Sequence, residues 1–422
     1  MFKNRDFRLL WTGAVASNIG SWMGMVAQGW LIITLTDSPA WLGAVALANS
    51  LPFLVIPLFG GVVADRVNRI SLLKATQTFS MLMTFTLAAL TLSGLIEVWH
   101  LILVAFLNAI AQSFEQPTRN ALLPDLVPED QLMQAVSLNS SAFQGAALVG
   151  PAIGGVLIEV VGIGACMLID GVTYLFVLWA LFVMRAPQTT PSRKQAVIKD
   201  MTEGLSFIKA SPVLLTCLLL TCVFSIFGRS YSTLLPAFAH LVLHTDSRAL
   251  GLMYAMPGFG TLAAGFALAG WGDIRHKGTM LAATALLGGI SIVAFALSSS
   301  LVLLLPILIV AGVSTNVFSA TVSTILQLGA PGRMRGRVMS YYSITWRGLT
   351  PLGGSFVAFL AQVLGTRTAL ATGGVVVAVS AVALYLLMPY IRQADGEINS
   401  QTPPSGAAVP EIAHASTAVS TP

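Results

Sequence analysis

Gly60-Gly61-Val62-Val63-Ala64-Asp65-Arg66-Val67-Asn68-Arg69 separates two long apolar runs, and it is almost the only place in the first quarter of the chain where several charges gather. The residues predict that one hydrophobic helix ends here, that a tight charged turn comes next, and that the next helix begins at Leu72. The glycines let helices approach closely, and Asp65 and Arg69 lie one helical turn apart, in position to pair or to cap. Taken alone, the stretch is a short loop whose basic residues set membrane topology.

Composition places the chain in a bilayer. Apolar residues make up 55% of the 422, charged residues only 9%, and the mean hydropathy is +0.82. A soluble domain carries roughly a quarter charged residues. The apolar run 7–34 is too long for the core of a cleavable signal and lacks a small-residue cleavage site, so it reads as a first membrane span. The pI near 9.3 would point to nucleic acid in a soluble protein, but here basic loops at the cytoplasmic face account for it and no nucleic-acid partner is expected. Cys166, Cys217 and Cys222 all fall inside apolar runs, without metal-ligand spacing, and read as buried small residues.

Outward from the charged turn, twelve apolar windows of spanning length succeed one another: 7–34, 41–63, 72–93, 99–115, 132–161 and 164–183, then 213–239, 250–271, 280–297, 301–328, 338–364 and 369–391. The fourth is cut short at its end by Pro117. Of the 22 Lys and Arg residues, 18 fall on the side shared by the termini and the even-to-odd loops. Arg248 and Arg367 fall on the other side, and Arg229 and Arg347 lie inside spans. Basic residues are retained in the cytoplasm, which predicts both termini there.

The polar stretch 185–211 predicts a cytoplasmic linker with a short amphipathic helix near 201–209. Residues 393–422, rich in Pro, Ser, Thr and Ala, predict a disordered cytoplasmic tail. The expected domains are therefore 1–187, a six-helix half; 188–211, the linker; 212–392, a second six-helix half; and the tail. The halves repeat. Asp65-x-x-x-Arg69 is echoed by Asp273-x-x-x-Lys277, and Gly150-Pro151-x-x-Gly154-Gly155 by Thr350-Pro351-Leu352-Gly353-Gly354. Such duplication predicts two six-helix bundles related about the membrane normal, with a solute site between them near the midplane.

Ionisable residues inside spans are the candidates for chemistry, because a charge at the bilayer centre costs roughly 2.5–3.5 kcal/mol on insertion scales. Asp170, Arg229 and Arg347 lie well inside their spans. Glu115 lies nearer an end, four residues from Arg119, either in an interfacial ion pair or in a functional role. Asp170 and Glu115, with Arg119, are the candidates for carrying a proton. Arg347 serves either as a salt-bridge partner or as an anion-binding group. Asn18, Trp22, Gln28, Trp30, Tyr231, Tyr341, Tyr342 and Trp346 supply polar and aromatic groups suited to a bulky amphipathic solute, though any one of them could equally be packing. His240 and His244 are expected on one helix face, interfacial and not a metal site.

The turn resembles the loop between the second and third helices of the major facilitator superfamily, Gly-x-x-x-Asp-Arg-x-Gly-Arg-Lys. Gly61, Asp65, Arg66 and Arg69 match, whereas Asn68 and Ile70 depart from it. Gly145–Gly155 resembles the Gly-x-x-x-Gly-Pro-x-x-Gly-Gly run of that superfamily's proton-coupled exporters, with Gly150, Pro151, Gly154 and Gly155 matching and Ala146 in place of the first glycine. The run from Gln116 to Pro124, with Asp130-Gln131-Leu132 and Ala135–Asn139, is similar to the transmembrane secretion effector group, which includes the enterobactin exporter of enteric bacteria. The resemblance implies an all-α major facilitator fold. It also implies an inner-membrane, proton-driven exporter, an antiporter of siderophores, drugs or similar molecules, in which the kinked fifth span limits leak.

These readings combine into a twelve-helix secondary exporter working by alternating access. Gly61, Asp65, Arg66, Arg69, Asp273 and Lys277 steady the gate. Asn18, Trp22, Gln28, Arg229, Tyr231, Tyr342, Trp346 and Arg347 hold the solute. The expected partners are a small-molecule solute, protons and the lipid bilayer, with the protein a monomer and no cofactor or metal. The rivals are an uptake permease or facilitator of the same fold and a non-transporting membrane sensor or scaffold. An enzyme or a self-contained ATP-driven pump is disfavoured, because no Gly-x-x-x-x-Gly-Lys-Ser/Thr loop is present.

Overall fold

The computed structural model describes residues 4–64, 68–184, 197–271 and 276–387. Among these, ten helices are long and apolar enough to cross a membrane. In chain order they are spans one (Arg5–Thr36), three (Arg69–Leu92), four (Val98–Leu126), five (Leu132–Val161), six (Ile163–Val183), seven (Pro212–Val242), eight (Ser247–Gly270), nine (Lys277–Leu297), ten (Leu301–Gly329) and twelve (Thr366–Leu387). Span two is Pro39–Ala64, and span eleven is 332–364, interrupted by a π turn at Ile344–Gly348. The total is the expected twelve. Large apolar side chains point outward around the bundle, Phe266 at 78% and Val363 at 79% exposure among them. Lipid, not water, is the medium such a surface fits.

Span four is longer than the sequence predicts. It runs through Pro117 and Pro124 to Leu126, because a membrane helix tolerates a lost backbone bond when neighbours take up the freed groups. Near Pro124 the Arg69 guanidinium of span three donates to the Ala121 carbonyl at 2.9 Å. The departure at Asn68 also has a reason. Asn68 caps span three, its side-chain oxygen accepting from Ile70 N at 3.0 Å and Ser71 N at 3.1 Å. Its φ is −58°, so no glycine is required. Span seven ends in a π turn at Phe238–Val242, and His244 beyond it has φ +52°. His240 and His244 therefore do not share a helix face.

The packing repeats between the halves. Span one lies against five and six, three against four and six, and two against four; in the second half seven lies against eleven and twelve, nine against ten and twelve, and eight against ten. The halves meet through two symmetry-related seams, span two on eleven and span five on eight. Close approach makes both seams. A Cβ added at Gly155 would lie 2.9 Å from Gly251 Cα, and one at Gly43 would lie 3.0 Å from the Ser355 carbonyl oxygen. Such distances admit only hydrogen at those positions. The linker helix Val197–Ala210 covers the predicted 201–209 and is tied to the start of span eleven by an ion pair between Glu203 and Arg337.

Candidate functional site

The seams lie toward the end of the bundle where span one finishes and span two starts. Hydrogen bonds between the halves gather there too. Ser38 Oγ meets Gln362 Oε1 at 2.7 Å, and the Asp37 carboxylate lies 3.1 Å from His240 Nε2. Ser247 Oγ donates to the Gly155 carbonyl at 3.0 Å. Away from this sealed end the halves separate around two adjoining chambers. The deeper one, about 420 Å³, is walled by groups such as Ile32, Leu42 and Leu235. The wider one, about 1050 Å³, reaches toward the end that carries the chain's N-terminal residues and is lined by amides and charges. Phe143, Gln144, Arg229, Thr261 and Thr315 border both. One end of the cavity is greasy and the other wet, which matches an amphipathic guest.

Local sequence explains how the charged groups reach this space. Span seven contains a π turn at Phe224–Gly228, immediately before Arg229. Span eleven contains its own π turn, and Arg347 lies within it. A π turn inserts an extra residue and re-aims the side chains beyond it, and such turns concentrate at functional sites. Arg229 Nη1 donates to the Trp346 carbonyl at 3.0 Å and to Thr350 Oγ1 at 2.9 Å. Its guanidinium lies 4.5 Å from the centre of the Trp346 ring. Trp346 stacks with Tyr342 at 6.0 Å and with Phe318 at 6.0 Å. On the opposite wall Glu115 and Arg119 form an ion pair at 2.5 Å within span four.

Most of the candidate solute residues converge. Asn18, Trp346 and Arg347 line the wide chamber, Trp22, Gln28 and Tyr231 the deep one, and Arg229 both. Tyr342 stands behind Trp346, its hydroxyl 3.3 Å from the Ser319 carbonyl. Trp30 instead packs edge-on against His240 at 5.4 Å, by the sealed end. Tyr341 lies against the linker helix at Gly204.

Glu115 and Arg119 line the wide chamber, but Asp170 does not. Asp170 is buried against span one, where a Cβ on Gly20 would meet its Oδ1 at 2.8 Å and one on Gly24 would overlap Oδ2. Its Oδ1 has no hydrogen-bond partner. In span five, Gly150 and Gly154 press on span one at Ile19 and Met23, while Pro151 and Gly155 face Gly251 of span eight. Gly61 lies in the last turn of span two. Arg69 pairs with Asp125 at 2.7 Å and also donates to the Ala121 carbonyl at 2.9 Å. Lys277 is buried at the start of span nine. Asp65, Arg66 and Asp273 lie outside the described residues.

The sequence reading missed Asp125, Arg69's partner, and several amides of the wide chamber: Gln77, Gln112, Asn139, Gln144 and Asn316. The signal that found Asn18 and Gln28, a polar amide inside an apolar span, also marks these. Among the described residues no group of three His, Cys, Asp or Glu side chains is placed to hold a metal ion.

Residues 1–415 match the transmembrane secretion effector family. The staphyloferrin A transporter of Staphylococcus aureus (strain NCTC 8325 / PS 47) is 25% identical over 352 residues, 82% of this chain and 87% of the relative. The multidrug efflux pump Tap of Mycolicibacterium fortuitum is 25% identical over 406 residues, 93% of this chain and 98% of the relative. A bacterial homolog of the human lysosomal transporter Spinster, solved in an inward-facing and occupied conformation, superposes with a TM-score of 0.71 at 16% identity, covering 93% of this chain and 98% of that one. A match along nearly the whole chain, on twelve helices in two repeated halves, means that the protein belongs to the transmembrane secretion effector family of major facilitator transporters, membrane carriers and not enzymes.

Proposed function

We propose that the protein is a proton-coupled secondary exporter, an antiporter that moves a small amphipathic molecule out of the cell by alternating access. The observation that carries this reading is the two-chambered cavity between the halves, closed by the seams at one end and reaching toward the other. The excess of Lys and Arg at the termini side makes that side cytoplasmic in an inner (plasma) membrane, so this state is inward-open. Residues 1–187 and 212–392 act as two bodies that rock about the bound solute, working as a monomer. Asp65, Arg66 and Arg69, with their counterparts Asp273 and Lys277, steady the inner gate. Span five's Gly150, Pro151, Gly154 and Gly155 limit leak. Asp170 or Glu115, the latter with Arg119, carries the proton. The relatives' names, a siderophore transporter and a drug efflux pump, favour a solute of that size and character.

The test is transport in inside-out vesicles, with lipophilic dyes and a catecholate siderophore offered with and without an imposed pH gradient. Accumulation that rises with the gradient and collapses with an uncoupler supports export. Movement down a solute gradient alone, indifferent to pH, would make the protein a facilitator.

A further inference from the structure

The cavity's charge is one-sided. Among the described residues, those of its lining with full charges are Glu115, Arg119, Arg229 and Arg347. Glu115 and Arg119 neutralise each other at 2.5 Å. Arg229 and Arg347 remain, and among the described residues neither forms an ion pair. Arg229 uses Nη1 to hold the Trp346 carbonyl and Thr350, which leaves Nη2 and Nε without a described partner. Arg347, an exposed residue of the cavity wall, makes no described hydrogen bond. The π turns that bring in the two guanidiniums pack against one another.

Two uncompensated cations at membrane depth are costly to hold, and a guanidinium fork is matched in shape and charge to an oxyanion, carboxylate or phosphate. We infer that the transported solute is an organic anion, its negatively charged oxygens received by Arg229 and Arg347 and its apolar part lodged in the deep chamber. This rests on the transport reading above and specifies the solute's class. The solute itself supplies the missing counter-charge. A lipophilic cation of the same size would meet two like charges in the same place, which disfavours it.

The experiment varies charge on one scaffold. Carboxyfluorescein and tetramethylrhodamine ethyl ester share a three-ring xanthene core, the first anionic and the second cationic. Equilibrium binding of each to the purified full-length protein in detergent is read by fluorescence anisotropy, for the parent, Arg347→Gln, Arg229→Gln and Arg229→Lys. The parent is expected to prefer the anion. Arg347→Gln should weaken anion binding about tenfold with no loss of thermal stability, because this side chain holds no other group. Arg229→Gln also loses a tie between spans seven and eleven, so Arg347→Gln carries the test if that variant does not fold. Arg229→Lys, which keeps the charge but not the fork, should fall between parent and Arg229→Gln.

Equal affinity for both dyes, or anion binding untouched by Arg347→Gln, would overturn the inference. Transport of the same dyes in vesicles separates this from failure of the transport reading. Arginine-dependent anion binding without gradient-driven movement removes export and leaves the charge class standing. Gradient-driven movement of the cation alone does the reverse.

Discussion

Asp170 faces span one where that helix offers Gly20 and Gly24 and no side chain. Two glycines one turn apart make room for one carboxylate, and a partnerless buried oxygen is held there at a cost. A structural role alone would be met more cheaply by an uncharged group, which is why a proton-carrying role is proposed for it. Asp170→Asn is expected to abolish pH-gradient-driven export in vesicles while solute binding in detergent survives. Glu115→Gln should have the smaller effect. Full gradient-driven transport by the Asp170 variant would hand the role to Glu115. Gly24→Ala tests the fit independently, since the new methyl would overlap the carboxylate. It should lower stability by about 1–3 kcal/mol, read as a fall in melting temperature, and Asp170→Ala in the same chain should recover part of the loss. The depth of Asp170 in span six was legible in the sequence from counting. Its direction was not, because a helix apolar on every side gives no periodicity by which to orient one charge.

Span five shows what small residues accomplish together. Gly150 and Gly154 let it lie on span one while Pro151 and Gly155 meet span eight, so one helix joins both halves at the sealed end. The Gly150-Pro151-x-x-Gly154-Gly155 run marked close helix packing in the sequence without naming the neighbours, and in its shorter echo Thr350-Pro351-Leu352-Gly353-Gly354 the two glycines pack on span seven as Gly150 and Gly154 pack on span one. The π turns in spans seven and eleven were not readable, because a five-residue hydrogen-bond step leaves no pattern of apolar spacing. Span four's true end was hidden by the same kind of gap, Pro117 reading as a stop when neighbouring helices carry the chain past it. Gly155→Val should wedge the seam with span eight and shift the population away from the state in which this end is sealed. With single cysteines placed on the wide-chamber wall, at Val136 or at Ser319, thiol labelling from the open side should slow in this variant. An unchanged labelling rate with normal abundance would mean that the seam tolerates the wedge and does not set the balance.

At the scale of the whole molecule, the sealed end is held by polar contacts as well as by glycine seams. Ser38 meets Gln362 and Asp37 meets His240, each joining one half to the other. If the halves rock, these contacts must break whenever the cavity opens outward, and nothing else in the cycle requires them to reform except return to this state. A short tether across the first pair therefore tests alternating access directly. Ser38→Cys with Gln362→Cys, in a chain whose Cys166, Cys217 and Cys222 are replaced by Ala, should cross-link with a short bis-methanethiosulfonate, which bridges the gap left by shortening Gln to Cys and joins both sulfurs through disulfides, because the native side chains already meet. The tethered protein should still bind solute in detergent from the open side, since the link lies beyond the deep chamber. Export into inside-out vesicles should stop, and a reductant that cleaves the tether should restore it. A tethered protein that exports at the untethered rate would mean that solute passes without the sealed end ever parting, which two rocking halves do not permit.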